Sequence, residues 1–164
     1  MNFSDLTDKA FNVLNVNKLV LVAEVYGVFA APSVFGMSPV VVLRSEDGRI
    51  LPIYIGLAEA MAIHTALKGE IPPRPMTHDL LIDVISRLNA KVERVVIDDL
   101  IDNTFYARLV LRQNDTTIEI DARPSDSIAI AVRTSCPIFI EEKVLDEAGT
   151  EELPSDFVEF DRVV

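Results

Sequence analysis

The sequence predicts an α+β fold: a mostly antiparallel or mixed β-sheet with about three helices packed on it, in which a hairpin-helix (ββα) unit recurs, either by duplication or because any such unit converges on the same pattern. Three observations predict it. Short runs rich in Val, Ile, Leu and Phe alternate apolar and polar residues at a period of two, as at Phe105–Arg112. Between them lie segments with helical spacing and capping residues, such as 57–68 and 77–88. Finally, a hairpin followed by a helix occurs twice with the same order of residue types.

Bulk properties set the frame. Of 164 residues 49% are hydrophobic, enough to build a core without covalent staples. The single cysteine, Cys136, forms no intrachain disulfide and suits a reducing, cytoplasmic setting; no secretion signal is visible at the N-terminus. Fifteen Lys and Arg against 26 Asp and Glu give a net charge of −11, which repels nucleic acid at long range and argues against a DNA-coating protein. Residues 19–43 hold one charge, Glu24, but Gly27, Pro32, Gly36 and Pro39 break them into two buried strands joined by a turn, so no membrane span is expected.

Residues 1–17 read as an amphipathic helical extension with Leu6, Ala10, Val13 and Leu14 on one side. Strands are expected at 18–29, 39–44 and 50–55, the last two around an Asp47-Gly48 hairpin turn that tolerates positive φ. A helix over 57–68 ends at Gly69, and the Ile71-Pro-Pro-Arg-Pro75 connector is extended. Thr77 caps the next helix, whose apolar stripe is Leu80, Leu81, Val84, Ile85 and Leu88. Strands at 92–97, 105–112 and 117–121 precede a helix capped by Ser125, a strand at 137–141, a helical turn over 142–148 and an acidic tail, 151–164. In the repeat, Leu43-Arg44 matches Leu111-Arg112, Ile53-x-Ile55 matches Ile118-x-Ile120, and Glu59-Ala60-Met61-Ala62-Ile63 matches Asp126-Ser127-Ile128-Ala129-Ile130.

Two helix entrances carry unusual chemistry. Arg74-Pro75-Met76-Thr77-His78-Asp79 brings an arginine, an imidazole and a carboxylate to a helix N-terminus, where free N–H groups favour an anion. Asp121-Ala122-Arg123-Pro124-Ser125-Asp126 repeats the Arg-Pro, hydroxyl, aspartate order. Together they suit a phosphodiester in one cleft, with arginines on the phosphate and carboxylates on one or two divalent metals. Equally, the first reads as a cap with an exposed histidine, and the second as a structural Arg123–Asp126 ion pair locking a turn. Asp98, Asp99 and Asp102 form a third acidic group, read either as oxygen ligands or as turn formers. His64 reads as a packed or surface residue. The apolar Val34, Phe35 and Met37 in a turn point to self-association, with a homodimer as the default.

Taken together, Leu51-Pro52-Ile53-x-Ile55-Gly56, Glu59-Ala60, Arg74-Pro75-x-Thr77-His78-Asp79-Leu80, Thr104-Phe105-Tyr106-Ala107, Asp121 through Ala129 and Val144 through Gly149 resemble the bifunctional nuclease (DNase/RNase) domain family over residues 18–150. The resemblance implies cleavage of DNA and RNA. Its matching polar positions are Glu59, Arg74, His78, Asp79, Asp121, Arg123, Ser125 and Asp126. By their chemistry, His78 or one of Asp79, Asp121 and Asp126 is the expected base, and Arg74, Arg123 and Ser125 the phosphate ligands. Asp79, Asp121 and Asp126 are candidate ligands for magnesium or manganese. The alternative is a non-catalytic regulatory module that binds a small anion or a protein.

Overall fold

A computed structural model of the protein describes residues 19–164; the expected helical extension, 1–17, lies outside the described residues. Eight strands form one sheet: β1 (Val20–Ser33), β2 (Gly36–Ser45), β3 (Ile50–Tyr54), β4 (Ala90–Ile101), β5 (Thr104–Gln113), β6 (Thr116–Ala122), β7 (Ile138–Glu141) and β8 (Val158–Glu159). Among the described residues the α-helices are α1 (Leu57–Leu67), α2 (Thr77–Arg87), α3 (Pro124–Thr134) and α4 (Glu142–Ala148). Spatial order is β3-β2-β1-β7-β4-β5-β6, with β8 pairing β1. Only β4 and β7 run parallel, so the sheet is mixed, as the α+β expectation allowed. Alternation places Ala107, Leu109 and Leu111 of β5 in the main core, with Ile63 of α1, Ile85 of α2 and Ile128 and Ile130 of α3. No described helix is long and apolar enough to cross a membrane.

The duplication is geometric as well as sequential. In β1 the register against β2 slips between Val25, opposite Leu43, and Gly27, opposite Val42. In β4 it slips against β5 between Val92, opposite Leu111, and Arg94, opposite Val110. The bulge thus recurs at the same place in both three-stranded meanders, and the helices that follow, Leu57–Leu67 and Pro124–Thr134, are each 11 residues long. One detail of the expected repeat is corrected. Leu51 lies opposite Leu43 and Ile118 opposite Leu111, so Ile53 corresponds to Ile120, two residues from the match the sequence suggested.

Further local expectations change. The helix caps are Met76 and Arg123, not Thr77 and Ser125, which lie inside the first turns. Asp79 does the capping at α2, where its Oδ2 accepts the Met76 N–H at 2.9 Å, and Pro124 occupies the first turn of α3, where no N–H is needed. Asp98 and Asp99 sit on β4, not in a loop, and meet cations: Asp98 pairs with Arg108 at 2.8 Å and Asp99 with Lys143 at 3.0 Å. Only Asp102 is in the turn, where it and Asn103 adopt positive φ. The tail folds back: Thr150 bridges Ile50, Phe157 packs against the cluster around Phe29, and Phe160 is buried beneath α1 with its ring edge on His64.

Candidate functional site

Four polar motif residues, Glu59, His78, Arg123 and Asp126, converge where α1, α2 and α3 begin. Asp126, in the first turn of α3, receives Arg123 Nε at 2.7 Å on Oδ2 and Arg123 Nη2 at 3.1 Å on Oδ1. Arg123 Nη1 reaches across to Glu59 Oε1 of α1 at 2.9 Å. From α2, His78 Nε2 approaches Asp126 Oδ1 at 2.9 Å. Burial opposes ionisation of Asp126 most strongly, but the hydrogen bonds and charges of Arg123 and His78 outweigh it and hold its pKa below the ordinary carboxylate range. Because an ionised carboxylate only accepts, Nε2 of His78 carries the proton that faces Asp126. The hydrogen bonds to Asp126 and then Glu59 keep Arg123 firmly protonated.

A second staple lies alongside. Arg133 of α3 donates from Nε to Asp79 Oδ1 at 2.7 Å, and from Nη1 to the carbonyls of Ala62 on α1 and Ala129. Hydrogen bonding from Arg133 leads, and the Met76 N–H follows, in lowering the Asp79 pKa. Arg133 was not among the expected site residues. Its signal was faint: an arginine in the last turn of α3 reads as a dipole partner until the fold shows α2 beside it.

Beside the first network lies a cleft of about 570 Å³ lined by Phe35, Tyr54, Gly56, Glu59, Phe105, Arg123 and Ser125, among others. Both the Gly56 end of α1 and the Arg123-Pro124-Ser125 end of α3 border it, so two helix N-termini bias it toward an anion. Of five guanidinium N–H groups, Arg123 spends three on Asp126 and Glu59, and its side chain is 63% exposed, which leaves Nη1 and Nη2 donors for the cleft. Ser125 is buried in the cleft wall.

The other expected site residues do not join. Arg74 is exposed on the connector and has no ion pair among the described residues, and Asp121 is exposed on edge strand β6 opposite Arg108. His78, expected to be exposed if it were a mere cap, is 9% exposed. Among the described residues no group of three or more His, Cys, Asp or Glu side chains is arranged to hold a metal ion. Asp79 and Asp126 instead face guanidinium groups. Paired in this way, Asp79 and Asp126 do not form a shared ligand set for a divalent ion.

The "Bifunctional nuclease domain" family profile matches residues 41–152, which contain both entrances and the cleft's helical walls. An uncharacterized protein of Mycobacterium tuberculosis is 50% identical over 112 residues, covering 68% of this chain and 66% of that protein. "Bifunctional nuclease 1" of Oryza sativa subsp. japonica is 30% identical over 114 residues, covering 66% of this chain and 34% of the rice protein. "Bifunctional nuclease 1" of Arabidopsis thaliana is 28% identical over 107 residues, covering 62% and 33%. The chain thus spans just under two thirds of the mycobacterial relative and about a third of each plant protein.

Proposed function

The chain belongs to the bifunctional nuclease domain family, and on that premise we propose that it hydrolyses phosphodiester bonds of DNA or RNA in the cytoplasm, at the cleft between the starts of α1 and α3. The carrying observation is Arg123, held by Asp126 and Glu59 at the cleft with donors to spare, and backed by His78 on the same aspartate. In this reading Arg123 and the two helix N-termini bind the phosphate and stabilise the charge that grows on its oxygens. Asp126 and, behind it, His78 hold that arginine in place without lining the cleft; the attacking water's oxygen bonds to phosphorus as the P–O bond to the leaving oxygen breaks, the water's proton passing to solvent and the leaving oxygen taking one from solvent. The net charge of −11 restricts binding to this local cationic spot and makes it weak at high salt.

A second reading, anion or protein binding without turnover, has its own support. His78 is almost fully buried and every carboxylate of the network already faces a cation, as in a structural clamp. The test is degradation of labelled single- and double-stranded DNA and RNA with magnesium, manganese or chelator, beside His78→Gln, Arg123→Ala and Asp126→Asn. Cleavage lost in all three folded variants supports hydrolysis here. Full cleavage in His78→Gln and Arg123→Ala removes the mechanism, and thermal stabilisation by inorganic phosphate without cleavage favours the second reading.

A further inference from the structure

Helix α2 is apolar on two sides. His78, Ile82 and Ile85 face the protein body, whereas Leu80, Leu81, Val84 and Leu88, expected from the sequence to join one core stripe, are 40–62% exposed. At 3.6 residues per turn these four form a second stripe about a third of a turn round from the first. Met76, the cap residue four before Leu80 and 58% exposed, continues it by one turn. Together these five side chains leave on the order of 400 Å² of apolar surface in water, within the range of the largest patch on a monomer. That also matches the apolar share of one side of a standard interface of ~800 Å² per partner.

We propose that this face of α2 is the contact between two copies of the chain, packed antiparallel about a two-fold axis near Val84. The residues themselves are self-complementary. Leu80, Val84 and Leu88 are symmetric about Val84, so reversing the helix lays Leu80 on the partner's Leu88 and Val84 on its own equivalent. Asp83 and Arg87 lie together along one flank of the stripe, 56% and 78% exposed at the side chain, and pair with each other in one chain at 2.9 Å. Reversal about Val84 brings both Asp83–Arg87 pairs to the same edge of the seam, where each Asp83 lies about two residues' rise from the partner's Asp83 and Arg87 alike. This flank carries no net charge, so two chains of charge −11 can approach here with little repulsion. The turn at Val34 and Phe35, each 93% exposed, lacks such pairing and borders the cleft instead.

The experiment is sedimentation velocity of the full chain across micromolar concentrations. A dimer is expected, with Val84→Asp weakening its association at least about 100-fold, because the aspartate would be buried against its own copy. Circular dichroism and the thermal midpoint report whether that variant keeps its fold. In a Cys136→Ser background, Val84→Cys at the axis should oxidise to a covalent dimer, and Phe35→Cys should not. A wild-type monomer throughout overturns the proposal. So does a dimer that survives Val84→Asp but is broken by Phe35→Ser, and so does absence of the Val84→Cys crosslink in a dimeric sample.

Discussion

Replacing Arg133 by methionine keeps most of the stem and removes the fork that joins three helices. Its Nε bond to Asp79 and its two Nη1 bonds to Ala62 and Ala129 all disappear. The arginine side chain is 12% exposed and Asp79 31%. Fully buried, a broken pair costs about 3–5 kcal/mol. Partial exposure lets water reach Asp79, and the lost carbonyl bonds add back some cost, so about 3 kcal/mol is expected. For a domain of this size that lowers the thermal midpoint by roughly 6–12 °C. Urea unfolding should show the midpoint falling with an unchanged slope. Arg133→Lys should restore less than half, since a point charge cannot serve Asp79 and two carbonyls at once. In a double-mutant cycle, Asp79→Asn should cost much less once Arg133 is gone. A loss below about 1 kcal/mol in Arg133→Met, or strict additivity with Asp79→Asn, would refute the view that this staple holds α2 to α3.

Acid should weaken the same region. Asp79 and Asp126 both have folded pKa values below their unfolded ones, so the unfolded chain binds more protons; their stabilisation is complete above about pH 4 and is lost as pH falls through the lower folded values. Urea midpoints measured down to pH 3 should fall, and Asp126→Asn should flatten that fall; an equal slope in the variant contradicts it. At Gly56 an added Cβ would strike only the Glu59 carboxylate, so Gly56→Ala should cost under about 1 kcal/mol yet displace Glu59 and loosen Arg123. Crystallography of that variant with the Glu59–Arg123 bond intact would count against it. Phe160→Ala should cost about 3–4 kcal/mol by urea unfolding, because the ring is 2% exposed within the main core. A cost near zero would mean that the tail is not part of the folding unit.

The sheet and helices were legible because the signals that encode them are local. Asp47-Gly48 announces its hairpin, and Gly48 has φ +91°; Phe105–Arg112 shows its core face by alternation alone. What failed needed the third dimension. Thr77 and Ser125 have the right chemistry for caps, but Asp79 and Pro124 satisfy the helix starts first. The stripe on α2 was visible as a set of apolar positions, and nothing in spacing says which of two neighbouring faces meets the sheet. Arg74 and Arg123 look equivalent in sequence. Only Arg123 follows an edge strand into a helix that packs against α1, where Glu59 waits for it.

The internal repeat accounts for where the polar network forms. Glu59 and Asp126 occupy equivalent places on equivalent helices, and a fold made only of the two repeats would set two like charges at adjoining helix starts. Two departures from the repeat resolve that conflict. At the position before the helix, the first copy has Gly56 and the second has Arg123, whose fork spans both carboxylates. The segment between the repeats adds α2, which brings His78 to the remaining side of Asp126 and has no counterpart after the second copy, where β7 follows. The residues with the strongest claim to chemistry are therefore those that break the symmetry. Gly56→Arg with Arg123→Gly would test this directly: if symmetry-breaking alone matters, the transposed arginine should still bridge Glu59 and Asp126 and preserve stability. Asp126 would then lose the near-planar fork it receives from its own turn, so activity should fall while the fold holds.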